Sequence, residues 1–366
     1  MNVPNRVTEI LARVGDGGLP DEGDLRLLLE LPHRSAAAGE VMAAAREIAR
    51  EACGNRAEIC VQIGLNVSAC PMNCRFCSFA AVNGVFPDPS ELPVGDVVER
   101  AVRSEAEGAN SIYLMATGDY PMARFVEVGQ EVRRHLRSET PLVANVGDLT
   151  PTTARTIADA GFCAVYHAAR MGEGRETAIP LEKRLRTFRI AREAGLQLGT
   201  CVEPVGPEHT TDEILEKILI HRAAEPCFSG AMRRINVPGT GLARHGQISE
   251  LRLAYLVAVA RLAMGRFLIG NCTHEPNVPG ACAGANLFWA EVGPNPRDTD
   301  RRTERGRGMD IAACRRLFEE AEYSVLEGPS VIHTRPYAGV AAAEAGACGR
   351  HVRAASRIHP PPVTAV

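Results

Sequence analysis

Long apolar runs are missing from this 366-residue chain: no stretch approaches the roughly 18 uninterrupted apolar residues that a membrane-crossing helix requires. The opening MNVPNRVTEI has no apolar core of the signal-peptide kind, so a cytoplasmic protein is expected. Excess charge is missing too. The 41 Lys and Arg nearly balance the 44 Asp and Glu, and a net charge of −3 gives no electrostatic reason to expect a nucleic-acid or membrane partner. A small molecule is the partner such a surface leaves. There is no dinucleotide-type glycine fingerprint and no Walker A loop. Hydrophobic residues at 45% and charged residues at 23% are ordinary for a globular chain with a sizeable core.

The order of elements is informative. Residues 23–31 and 39–52 repeat apolar positions at helical spacing and stop at Gly54–Asn55. From Glu58 onward, short β-branched runs alternate with amphipathic helices: AEICVQIGL, NSIYLMAT, PLVANV, FCAVYH, LQLGTCVEP, MRRINV and RFLIGN are separated by segments such as LEKRLRTFRIAREAG. About seven βα units of this length predict an α/β chain closed into a TIM-type (β/α) barrel, with functional residues after the strand C-terminal ends. The runner-up is an open doubly wound sheet. The expected division is a helical lead-in over 1–55, a barrel over 56–325 with a distinct C-terminal part from about 235, and a partly disordered tail over 326–366 rich in Ala and Pro.

Twelve cysteines in a large chain of this kind point to metal or catalysis rather than disulfides, with several serving as apolar filler. Three stand together in Cys70-Pro-Met-Asn-Cys74-Arg-Phe-Cys77, directly after the first expected strand. Closed structural zinc and ordinary ferredoxin sites use four protein ligands, whereas an iron–sulfur cube held by three cysteines keeps one iron open to a substrate or cofactor. A zinc knuckle completed by a distant ligand is the competing reading, weakened because zinc motifs favour paired Cys-x2-Cys units.

Cys-x3-Cys-x2-Cys with Phe76 before the last cysteine resembles the signature of the radical S-adenosylmethionine (SAM) superfamily. The resemblance runs over roughly residues 25 to 325 and is nearest the biotin synthase-like branch, with its hydrogenase-maturation and methylornithine synthase relatives. Pro238-Gly-Thr-Gly-Leu242, Ala283-Gly-Ala-Asn286 and Asn295-Pro-Arg-Asp-Thr299 carry it further. It implies a [4Fe–4S] cluster on Cys70, Cys74 and Cys77, with SAM on the open iron and Phe76 beside the cofactor.

The resemblance also places cofactor contacts. Thr117, Gly118 and Asp119 follow the second strand where the superfamily has a segment that receives the methionine amino group, Gly118 permitting close backbone approach. A plain turn before Pro121 is the other reading of Asp119. Arg184 aligns with an arginine gripping the methionine carboxylate, a task suited to a guanidinium fork. A solvated helix charge is the other reading there.

His167, Arg170 and Glu173 cluster after the fourth strand, where barrel enzymes keep polar groups. Glu203 stands in a stretch that resembles the adenine-packing segment, at a position usually hydrophobic, and is assigned to the substrate side. Glu208 reads as structural. His274 and Glu275, after the seventh strand, are candidates for acid or base work. The candidate catalytic set is therefore His167, Arg170, Glu203, His274 and Glu275; the candidate cofactor set is Phe76, Thr117, Gly118, Asp119, Glu173 and Arg184.

Biotin synthase carries a second cluster on strand cysteines that YLMATG and VANVG lack, so biotin synthase itself is not expected. Cys163, Cys201, Cys272 and Cys282 fall at or after strands and keep open a second iron–sulfur cluster and a sulfur-inserting activity, with buried structural thiols as the alternative. The leading expectation is reductive SAM cleavage and hydrogen abstraction from a small polar substrate, with electrons from a flavodoxin- or ferredoxin-type donor. A non-catalytic metal-binding scaffold is the reading from another class. Substrate identity and oligomeric state are not legible.

Overall fold

The computed structural model describes residues 3–266 and 268–334. Eight parallel strands close into a barrel: β1 (Arg56–Gly64), β2 (Ser111–Met115), β3 (Leu142–Asn145), β4 (Ala164–Tyr166), β5 (Gln197–Gly199), β6 (Phe228–Arg233), β7 (Gly270–Cys272) and β8 (Leu287–Val292). Closure comes from β8 pairing with β1 in register Glu58 to Leu287, and from β7 bridging β6 and β8. The short strand Val202–Val205 extends the line of β5 beside β6. A TIM-type barrel is therefore the fold. Two corrections attach to the strand count. The sixth strand starts at Phe228, and an eighth strand, LFWAEV, joins the seven expected. It is hard to see in sequence because the helix before it, Val278–Cys282, has only five residues and breaks the thirty-residue rhythm.

Three helices precede the barrel: α1 (Val3–Gly15), α2 (Glu22–Glu30) and α3 (Ala36–Cys53). Asp21 and Asp24 form a capping box at the start of α2, Ser35 caps α3, and Gly54 ends α3 in the left-handed conformation at φ 60°. These helices pack on the outside of the late barrel and explain an oddity of the helix Glu250–Met264. All twelve residues from Leu253 to Met264 are buried, because α2 and α3 cover the face that would otherwise meet water. No helix of the described residues is long and apolar enough to cross a membrane.

The barrel interior holds Cys60, Tyr113, Val143, Ala164, Tyr166, Phe228, Trp289 and Ile332 in one apolar cluster. Ile332 belongs to the segment expected to be tail, and this is a further correction. Residues 326–334 return under the barrel floor; the rest of the expected tail lies outside the described residues. Ser330 donates to the Glu58 carboxylate, His333 Nδ1 lies 2.6 Å from Ser330 Oγ, and Tyr113 Oη lies 2.5 Å from His333 Nε2. A neutral imidazole completes this chain, accepting from Tyr113 and donating to Ser330.

Burial gives the fold a pH dependence. Burial lowers His221 and His333 to about 3. It lowers His167 to about 4, with Arg184 adding to the effect and Asp148 opposing it. Unfolded histidines bind protons near pH 6.5, so the unfolded state holds more protons below that value, and stability falls as the pH drops from about 6.5 toward 4. At pH 5 each of these histidines is expected to cost roughly 2 kcal/mol relative to pH 7. Urea unfolding at the two pH values checks this. His221→Leu should flatten the slope, because neither ring nitrogen of His221 has a hydrogen-bond partner to lose.

Candidate active site

The loop after β1 is wound tightly enough to bring its three thiols to one side. Cys70 N–H bonds Phe79 O at 2.8 Å, Cys77 N–H bonds Cys74 O at 2.9 Å, and Asn73 turns the chain at φ 48°. Asn83 braces the turn by donating to Cys77 O at 2.8 Å. Neighbouring strand-end loops hold it in place: Arg75 N–H bonds Glu176 O, Ala178 N–H bonds Met72 O, and Ser78 N–H bonds Pro296 O, each at 2.8 to 2.9 Å.

Cys70, Cys74 and Cys77 line the floor of a cavity at the C-terminal mouth of the barrel. Its empty volume is about 1120 Å³, counting the part open to solvent. Burial pushes all three thiols up, Cys74 to about 11 and Cys77 further, the neighbouring cysteines adding to the effect at Cys77. Iron must therefore displace protons when it binds, the usual coupling of metal affinity to pH.

Gly118, after β2, faces these thiols. A Cβ there would sit 2.8 Å from Met72 Cγ and 3.8 Å from Cys70 Sγ, so the backbone approaches the cysteine loop as closely as glycine alone allows. Thr117 lines the same wall, its N–H bonded to Asn66 Oδ1 at 3.0 Å. The three convergent thiols and this cradle fit a three-cysteine iron–sulfur cluster with a ligand beside it. Phe76 also lines the cavity. Asp119 does not; its carboxylate accepts from Ser68 Oγ at 2.8 Å and braces the turn.

The polar wall is built from the ends of β3 to β5. Arg184 is buried, its Nε donating to Glu173 at 2.8 Å and its Nη1 to Asp148 at 3.2 Å. His167 Nε2 lies 2.9 Å from Asp148. Burial works against the Asp148 charge, but the hydrogen bond with His167 and the Arg184 charge outweigh it and hold the carboxyl well below the usual range. Arg184 and Asp148 line the cavity. His167 and Glu173 stand behind them as positioning groups.

Arg170 reaches Glu203 at 3.2 Å, and Tyr166 donates its hydroxyl to the same carboxylate. His274 lies flat on Trp289 at 4.1 Å and 6°, and 4.9 Å from the Tyr166 ring. Burial and the nearby Arg297 and Arg170 charges pull it well below its usual range, so it is a neutral imidazole, and its Nε2 has no partner. Arg170, Glu203, Tyr166 and His274 thus come together in the cavity lining. Glu275 does not join them. It ion-pairs with Arg233 at 2.5 Å and is absent from the lining.

Four of the lining residues that were not singled out from sequence bear directly on the site. Asp148 and Arg234 lie far along the chain from their partners, and Arg234 is held by Glu208 as a bidentate pair, which gives that glutamate the structural role expected of it. Tyr166 was read only as strand. Arg297, in the Asn295-Pro-Arg segment, donates to His274 O at 3.1 Å and pairs with buried Glu291.

Known proteins agree with this fold. The Radical SAM superfamily profile matches residues 67–220, the segment that begins just before the cysteine loop. The chain is a radical SAM enzyme. The enzyme is 27% identical over 267 residues to biotin synthase from Desulforudis audaxviator, covering 70% of this chain and 80% of that protein. It is also 27% identical over 288 residues to biotin synthase from Brucella ovis, covering 73% and 84%. Among solved structures, methylornithine synthase overlays with TM-score 0.72 at 19% identity, covering 89% of this chain and 98% of that one. The FeFe-hydrogenase maturase HydG from Carboxydothermus hydrogenoformans overlays with TM-score 0.74 at 16% identity, covering 91% and 82%. These two likenesses bear on the fold. Membership of the superfamily implies a [4Fe–4S] cluster and SAM as cofactors.

Proposed function

We propose that the enzyme abstracts hydrogen from a small polar substrate held among Arg170, Glu203, Tyr166 and His274, leading to rearrangement, fragmentation or bond formation. When bound, the cluster and SAM supply a 5′-deoxyadenosyl radical by one-electron cleavage of the sulfonium. The observation that carries the reading is a single cavity lined both by the three thiols with Gly118 and by the charged and aromatic set Arg170, Glu203, Tyr166 and His274.

In this reading Cys70, Cys74 and Cys77 hold the cluster, with Phe76, Thr117, Gly118 and Arg184 against SAM. Asp148, His167 and Glu173 orient Arg184. Arg170 offers its guanidinium to an anionic substrate group, and Glu203 accepts from a donor group. The loops tied across the cysteine segment keep water from a reactive centre. The unit that does this is the barrel over 56–325, in the cytoplasm, reduced by a flavodoxin- or ferredoxin-type partner.

The test is a metabolite screen on anaerobically reconstituted enzyme, read as 5′-deoxyadenosine that carries deuterium from one labelled candidate. Iron content separates the sulfur-inserting alternative: about four irons per chain supports hydrogen abstraction alone, and six to eight supports an auxiliary cluster. Glu203→Gln is expected to lower substrate turnover by about 10²- to 10⁴-fold while slow uncoupled SAM cleavage persists. Equal loss of both activities would place Glu203 on the cofactor side.

A further inference from the structure

Apart from the cysteine loop, a second group of soft ligands lies inside the barrel. Cys201, Cys272 and His274 are all buried, and one ligand atom from each lies within 4.8 Å of the other two. Tetrahedral coordination at thiolate distances of about 2.3 Å would set the sulfurs roughly 3.8 Å apart, so closing on an ion takes a movement of about an ångström or less.

The topology explains why they meet. Cys272 ends β7 and is in register with Gly230 on β6, while Val202 is in register with Ala231, which places Cys201 beside the same Gly230 from the other edge. Gly230 takes φ +147°, and a Cβ there would lie 2.1 Å from Cys272 O, so no side chain at this position stands between the strands. His274, two residues past Cys272, lies in the bend after the strand and brings a ring nitrogen within 4.8 Å of both thiols. The Trp289 stack fixes its ring plane, and Nε2 is buried without a hydrogen-bond partner.

We propose that Cys201, Cys272 and His274 bind a single zinc-class ion, separate from the loop cluster, with a fourth coordination position toward the substrate end of the cavity. The charge argument favours it. Two thiolates neutralise a divalent ion, so the loaded site carries no net charge into the interior, and its two thiol protons leave with the solvent. A Cys2His set is a borderline-soft set suited to zinc, and three protein ligands with one open position is the pattern of zinc sites that take a substrate donor atom. His274 lines the cavity, which gives a substrate oxygen, nitrogen or sulfur a path to that position. A pair of mutually hydrogen-bonded core thiols is the competing account.

The test uses the holoenzyme reconstituted anaerobically with iron, sulfide and one equivalent of zinc. The expected result is about one zinc per chain beside the cluster iron, with X-ray absorption at the zinc edge showing two sulfurs near 2.3 Å and a nitrogen near 2.0 Å. Cys201→Ser/Cys272→Ser should lose at least about 100-fold in zinc affinity and keep the cluster iron and its visible absorption. Zinc absent from the wild-type enzyme, or an edge spectrum without two sulfurs and a nitrogen, overturns the proposal. So does equal zinc in the folded double variant. If that variant does not fold, the wild-type edge spectrum alone decides. Loss of SAM cleavage would count against the proposed function, whereas these readouts concern only the second site.

Discussion

Replacing any one of Cys70, Cys74 or Cys77 by alanine is expected to abolish the iron-dependent visible absorption and to lower SAM cleavage by at least about 1,000-fold, some 4 kcal/mol in the barrier. The reason is geometric. The three thiols converge from one eight-residue loop whose backbone is tied to the strand-end loops after β4 and β8, so no other cysteine among the described residues can swing in to replace a missing one. Cys201 and Cys272 sit on the barrel interior at the far strands and are absent from the cavity lining. Alanine at Cys53 or Cys314, by contrast, should leave the iron content unchanged; Cys314 packs in the outer apolar core on the last helix. A Cys74→Ala protein that kept its iron and its activity would return the loop to a structural role.

Arg184→Ala is expected to be the most destabilising single substitution in the polar wall. Arg184 pairs at 2.8 Å with Glu173, whose side chain is fully buried, and at 3.2 Å with Asp148, which is 4% exposed. Removing the guanidinium leaves buried Glu173 without its ion-pair partner and leaves Asp148 with His167 and the half-exposed Lys183 at 3.7 Å. Such losses cost about 3–5 kcal/mol. For a chain of this size that corresponds to a fall in melting temperature of roughly 4 to 7 °C. Arg184→Lys keeps the charge but cannot fork between two carboxylates, and should fall between the extremes. Adding Glu173→Gln to Arg184→Ala should recover part of the loss, the sign of an interacting pair. A melting temperature unchanged within about 2 °C in Arg184→Ala would show that water, not protein charge, satisfies these carboxylates.

What could be read from sequence and what could not divides along sequence distance. The cysteine loop is legible because its ligands are spaced three and two residues apart, and the barrel because strand and helix alternate at a steady length. The eighth strand escaped because a five-residue helix replaced the usual amphipathic one. Arg184 was found, but not its company: Glu173 is eleven residues away and Asp148 thirty-six, and nothing local marks them as its partners. His274 and Glu275 look equivalent as adjacent polar residues after a strand. The bend after β7 separates them, with His274 on Trp289 and Glu275 at Arg233. The start of the expected tail carries no local sign of packing, yet Ser330 and His333 close the barrel floor through Glu58 and Tyr113, pairings that span more than 200 residues.

The most direct measurement of the central claim is electron paramagnetic resonance of the anaerobically reconstituted, reduced enzyme with and without SAM, coupled to analysis of the products. The account expects a reduced four-iron cluster signal that shifts when SAM is added, followed by release of 5′-deoxyadenosine and methionine, with both effects absent in Cys74→Ala. A fully loaded and reduced cluster whose signal ignores SAM, and whose SAM is recovered intact, would contradict it.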